Sequence, residues 1–196
     1  MALALVAAQL AVGGGVLALA WRYTSGGGPR ASSRREASWD LIRAAPFGAA
    51  VVVVLELLAW VAGAPSPGAS VLAGSARDAR WLYLLGGLAT VPGCYLAIAA
   101  GHAERRGELG AARREVRLAG FVTACGACVQ ALSSLASLVA AGISSAQALP
   151  LGTSLATIAA AGFAGLLGGL SGKPRPTAYV SAALAVVSTL AWLAAR

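Results

Sequence analysis

The sequence predicts an all-α polytopic membrane bundle: six transmembrane helices with both termini on the non-cytoplasmic side. Three observations carry this expectation. Six apolar runs approach the roughly 20 helical residues that a bilayer core of about 30 Å requires. The basic residues between the runs alternate in density from one connection to the next. Tryptophans gather at the expected helix ends, where an apolar ring with one N–H meets the membrane interface.

The first run, residues 2–21, is apolar up to Trp21. Ala18-Leu19-Ala20 would suit a signal-peptidase site, but no basic segment precedes the run. It is therefore read as a span. The second run is 44–63, followed by 81–101, 118–142, 148–170 and 178–195. No strand-like alternation competes with helix, as a membrane barrel would need. The connection TSGGGPRASSRREASWD reads as a flexible polar linker, with Ser38 or Asp40 as candidate cap of the second helix. APSPGASVLAGSARDA is too short to span and reads as an outer loop or a small re-entrant segment. HAERRGELGAARREVR suggests a short helix weakened by Gly107 and Gly110. None of these is long enough to separate domains, so residues 1–196 are expected to form one transmembrane domain.

Orientation follows from charge. The first connection and its flanks hold Arg22, Arg30, Arg34, Arg35 and Arg43; the third holds Arg105, Arg106, Arg113, Arg114 and Arg117; the fifth holds Lys173 and Arg175. Those are twelve of the fifteen basic residues. Basic loops stay on the cytoplasmic side (or its topological equivalent), so the odd-numbered connections are placed there. Trp21, Trp60, Trp81 and Trp192 fall at predicted helix ends, with Trp39 just before the second.

Composition narrows the function classes. Hydrophobic residues make up 58% and charged residues only 11% of the chain, against roughly 25% charged in soluble domains. The net charge of +8 comes from arginines in the connections, without the aromatic interleaving of a nucleic-acid surface. Nucleic acid is therefore not an expected partner. The expected partners are the lipid bilayer and either further copies of the chain or other membrane subunits.

Glu56, in VVVVLELLAW, is the one acidic residue deep in a span. A carboxylate there is costly, and intramembrane ionisable residues by default mark proton, cation or counter-ion sites. It lies thirteen residues past Arg43, or about 20 Å along the helix, at a depth expected to match Gln130 of the fourth helix and Tyr83 or Arg80 of the third. The third run carries Gly86, Gly87, Thr90, Pro92 and Gly93. Pro92 removes a backbone donor and should kink the helix, leaving a carbonyl near residue 88 for a neighbour or a cation. Thr90 and Pro92 thus join Glu56, Gln130 and Tyr83 as transport or ion-site candidates.

The polar residues Gln130, Ser133, Ser134 and Ser137, and Thr153, Ser154 and Thr157, follow helical spacing. They suit interhelical hydrogen bonds or a water-lined path. Gly162, Gly165, Gly168 and Gly169 make a flat seam for a neighbouring helix or a second subunit.

The three cysteines allow another reading. Cys94 and Cys125 each lie about 12 Å from the inner boundary, and Cys128 shares a helix face with Cys125. Together they could relay thiol–disulfide exchange across the membrane. Against this, cysteine packs well as a small soft residue, and a helical Cys-x-x-Cys closes a disulfide only with distortion. With a single histidine, His102, a four-ligand zinc site is not expected. His102 reads as a cap on the third helix. GTSL and GISS make no nucleophile elbow. Enzyme activity has little support, and no cofactor is indicated.

The sequence therefore favours a small transporter or channel for a proton, cation or small solute, using Glu56 and the third helix. The alternatives are a structural or assembly subunit of a larger membrane complex, and a membrane thiol oxidoreductase using Cys94, Cys125 and Cys128.

Overall fold

The computed structural model describes residues 2–24, 31–64, 80–105, 107, 109–142, 145–171 and 174–195. They form six helices: α1 (Ala2–Thr24), α2 (Ala31–Val61), α3 (Arg80–Arg105), α4 (Leu109–Ala141), α5 (Ala148–Ser171) and α6 (Pro174–Ala194). Each contains a stretch long and apolar enough to cross a membrane, as the six runs predicted.

Helix–helix contacts define the order. α3, α4, α5 and α6 pack as consecutive neighbours, α3 also meets α6, and the α1–α2 hairpin joins the group through α1 on α3. Residue pairings give directions. Gly86 faces Gln130 while Gly93 faces Thr123, so α3 and α4 are antiparallel. The pairings Ser134–Ser154 with Ala127–Gly162, Ser154–Ser188 with Ala161–Ser181, and Tyr83–Ser188 with Cys94–Ser181 give the same relation for α4–α5, α5–α6 and α3–α6. Leu5 clusters with Tyr83 and Ala18 with Leu96, so α1 and α3 run parallel. This alternation gathers the helix ends near Arg22, Arg34, Arg105, Arg117 and Arg175 at one end of the bundle, with Arg80 at the other.

In lipid, apolar side chains gain little by leaving their surroundings, so small residues and interhelical hydrogen bonds hold such bundles together. Gly126 illustrates the first. A Cβ built there would stand 2.5 Å from the Gly86 carbonyl oxygen and from the Thr90 nitrogen. The four glycines of the α5 seam pack against helices of the same chain. Gly162 packs on Ala127, Gly165 on Thr123, Gly168 on Thr177, and Gly169 on the α4 backbone at Val116 and Arg117.

Four expectations change. α2 begins at Ala31, not near 44, and runs unbroken through Pro46. The described part of the supposed linker is therefore helix, because Ala, Arg and Glu in ASSRREAS favour helix once the apolar run anchors it. Ser38 consequently caps nothing at a helix start; its hydroxyl donates to the Arg35 carbonyl from within α2. Asp40 likewise lies within α2, and Arg22 of α1 stands 5.3 Å over the Trp39 ring. His102 is exposed and is not the last residue of α3, which continues to Arg105. The stop is Gly107, whose φ of +85° suits glycine and whose N–H reaches the Glu104 carbonyl. Finally, Trp192 is not an interface anchor. It is 2% exposed and stacks on Tyr83 with ring centroids 4.4 Å apart. The re-entrant candidate over 65–79 lies outside the described residues.

Candidate functional site: a buried polar column

One face of α3 presents Tyr83, Gly87, Thr90 and Cys94, at intervals of four, three and four residues. That spacing makes a stripe along a helix, and all four are buried. Facing them are Thr123, Gln130, Ser133 and Ser134 of α4, Ser154 of α5, and Ser181, Ser188 and Thr189 of α6, each at most 3% exposed. The core between these four helices is thus lined by hydroxyls and one amide.

The polar groups form three layers. At the end away from the arginine cluster, Tyr83 Oη lies 2.8 Å from Ser188 Oγ. Ser188 Oγ lies 3.0 Å from Ser154 Oγ, which lies 3.2 Å from Ser134 Oγ. In each of these pairs either hydroxyl can donate. In the middle layer, the Thr90 hydroxyl is 2.7 Å from Gln130 Oε1 and 3.1 Å from the Gly86 carbonyl, and donates to them. Nearest the arginine end, Ser181 donates to the Ala161 carbonyl at 2.8 Å, and Cys94 Sγ lies 3.6 Å from Ser181 Oγ. Beside this layer is a cavity of about 10 Å³, lined in part by Cys94, Thr123, Gly165, Thr177 and Ser181. That is about one water molecule by the same measure.

The structure therefore brings together Thr90 and Gln130 and sets Tyr83 and Pro92 on the same core. Pro92 is fully buried, and α3 passes through it without a break. Glu56 is placed elsewhere. It is partly exposed on α2, in a groove lined by Val52, Val53, Glu56, Leu57, Trp60 and Ala64, all from α2 and its end. Nor are the cysteines gathered. Cys94 is buried, while Cys125 and Cys128 are exposed on the outer face of α4. Among the described residues no group of three or more His, Cys, Asp or Glu is placed to hold a metal ion.

Two buried residues escape a sequence-level search. Gln9 is 2% exposed against Gly87, and neither its Oε1 nor its Nε2 has a hydrogen-bond partner. It is the one polar side chain between Ala2 and Trp21, which is the signal that could have found it. Glu115 is 4% exposed, near the arginine end of α4; the surrounding arginines disguise it as part of a solvated connection.

The hydroxyl layer can be weighed. Tyr83→Phe should cost about 0.6 kcal/mol, and no more than about 1.7, the range for interhelical hydrogen bonds in lipid. Denaturant titration of the protein in detergent micelles measures it. A cost of several times that would mean the hydroxyl organises more than its bond to Ser188.

Comparison with known protein families, with curated proteins and with solved structures finds no match.

Proposed function

We propose that this chain is a small multi-pass membrane transporter that passes a small polar species along the column between α3, α4, α5 and α6. The observation that carries the reading is the column itself. Polar side chains are expensive within lipid and tend to mark pathways. Here they are concentrated on the inward faces of four helices, in three layers from Tyr83 to Ser181. The role once given to Glu56 passes to Thr90 and Gln130, since the groove about Glu56 is lined by α2 alone. Pro92, one turn along α3 from Leu88, supplies a point at which the helix bends at low cost.

In this proposal both chain ends lie on the non-cytoplasmic side and the arginine-bearing connections on the cytoplasmic side. Single cysteines introduced at Ser33 and at Ala146 report this. A membrane-impermeant maleimide applied to right-side-out vesicles should modify position 146 and spare position 33. The reverse pattern inverts the orientation.

The transport test uses protein in liposomes. Light scattering after an osmotic step reads the entry of urea or glycerol, and an entrapped pH dye reads protons. Passage above that of empty liposomes is expected, and the paired change Thr90→Val with Gln130→Leu should remove most of it. No passage of any probe would sink the reading. A second reading, an assembly subunit, is favoured by α2, whose Val53, Val54, Leu57, Leu58, Trp60 and Val61 all face outward. It predicts that gently extracted protein migrates with other membrane subunits and carries no flux.

A further inference from the structure

We propose that the crossing of α1 and α3 at Gln9, Gly87 and Leu88 is a binding position for one small neutral solute that both donates and accepts hydrogen bonds. The inference rests on the transport reading and names its substrate class.

The first observation is the Gln9 amide. It is buried, it lies against Gly87 of α3, and both its donor and its acceptor are unpartnered. In lipid no solvent satisfies such a group, so leaving it bare is costly. The second is the Leu88 carbonyl. Four residues later stands Pro92, which has no N–H to give it. That carbonyl oxygen instead lies against the Cα of Gly13 on α1, where any Cβ would collide with it. Gln9 and Gly13 are one turn apart on α1, and Gly87 and Leu88 are adjacent on α3. An unpartnered amide and a carbonyl that lacks its usual helical donor therefore lie within about one helical turn of each other, on the stripe of α3 that carries Thr90 one turn further on.

The third observation is charge. The runs 81–103, 118–141, 148–171 and 177–194 contain no Asp, Glu, Lys or Arg, and neither does 2–21. The buried Glu115 stands fifteen residues before Gln130 on α4, about 22 Å away, so an ion at the level of Gln9 would meet no counter-charge from these runs, and uncompensated charge in a low-dielectric interior costs far more than a neutral polar group. A neutral solute offering a donor to the carbonyls and an acceptor to Nε2 completes all three at once. Urea and glycerol have that chemistry and serve as probes.

The experiment compares wild-type protein, Gln9→Met and Gly87→Ala in liposomes, with melting temperature measured in detergent. Methionine keeps the length of glutamine and removes its hydrogen bonds. Alanine at 87 meets the side chain of Gln9 and displaces the amide from α3. Urea or glycerol passage should fall about tenfold in Gln9→Met, the worth of a hydrogen bond or so at this site. Its melting temperature should hold or rise, because a bare amide has been removed. Gly87→Ala should lose flux as well, which keeps the test decisive if Gln9→Met fails to fold. Equal flux in wild type and both variants overturns the site while leaving transport standing. Proton passage without urea or glycerol passage overturns the neutral class and again leaves transport standing. A lower melting temperature in Gln9→Met with unchanged flux makes Gln9 a packing residue and overturns the site. Absence of all passage overturns this inference together with the transport reading.

Discussion

Gly126→Ala should destabilise the folded bundle by about 3 kcal/mol or more, while Gly152→Ala, the same chemical change one helix away, should be neutral or stabilising. At Gly126 the added methyl would stand 2.5 Å from the Gly86 carbonyl oxygen, the Thr90 nitrogen and the Thr90 hydroxyl. Two of these three atoms are backbone and the third is held by Gln130, so no flexible side chain can move aside. Overpacking costs about 1–3 kcal/mol when side chains can adjust, and here α3 and α4 must separate instead. At Gly152 nothing lies within 4 Å of the added atom, and alanine gains up to about 1 kcal/mol over glycine in a helix. Denaturant titration of both variants in the same detergent reads the difference. Equal losses at the two positions would show that the α3–α4 crossing is looser than its geometry.

The contrast between these two glycines also marks what a sequence discloses about such a fold. The six spans are legible because lipid demands length and apolarity of every helix, whatever it touches. The start of α2 is not. Residues 31–43 mix three arginines, two acids and three serines with five apolar residues, so the apolar run starts after the helix does. The α3 stripe of Tyr83, Gly87, Thr90 and Cys94 could be read from spacing alone, because an inward face needs one residue every three or four. Which face of α4 turns inward required the partner helix. Cys125 and Cys128 share a face, as expected. The inward set, however, is Thr123, Gly126, Ala127 and Gln130, and at about 100° per residue the cysteines point away from it. Gly126 carried the hint, since the smallest residue marks the closest approach. Trp192 misled for a related reason. Its place near a helix end suits the interface, but Tyr83 on the antiparallel α3 lies at the same depth and receives its ring. Azimuth around each helix depends on neighbours that the sequence does not name.

Depth and azimuth together decide the fate of Glu56. Gly48 of α2 packs on Ala7 and Ala11 of α1, Gln9 lies at Gly87, and Gln130 at Gly86, so Glu56, eight residues past Gly48, stands about 12 Å beyond the level of Gln130 and not at the depth expected from Arg43. α2 also packs chiefly on α1 and turns a broad apolar face outward. Gln9 shows the converse. An uncharged residue attracts less notice than a carboxylate, yet a buried amide with two unmet hydrogen-bonding atoms imposes a larger demand on its surroundings than a partly exposed acid.

Pro92→Ala should move stability and transport in opposite directions. Alanine at 92 restores an N–H facing the Leu88 carbonyl and completes the helical ladder of α3. In a helix interior proline is about 3 kcal/mol less favourable than alanine; Pro92 is fully buried, so part of that gain is offset by the lost ring volume. A net rise in melting temperature is expected. If the Leu88 carbonyl beside Gly13, which lacks the N–H of residue 92, helps receive the solute and the proline lets α3 bend around it, the stiffened helix loses both. Flux of urea or glycerol should then drop at least tenfold while the protein becomes harder to unfold. A fold defect cannot produce that pairing, since a damaged bundle loses stability and flux together. Greater stability with undiminished flux would reduce Pro92 to a packing residue, and α3 would have to be replaced as the moving part.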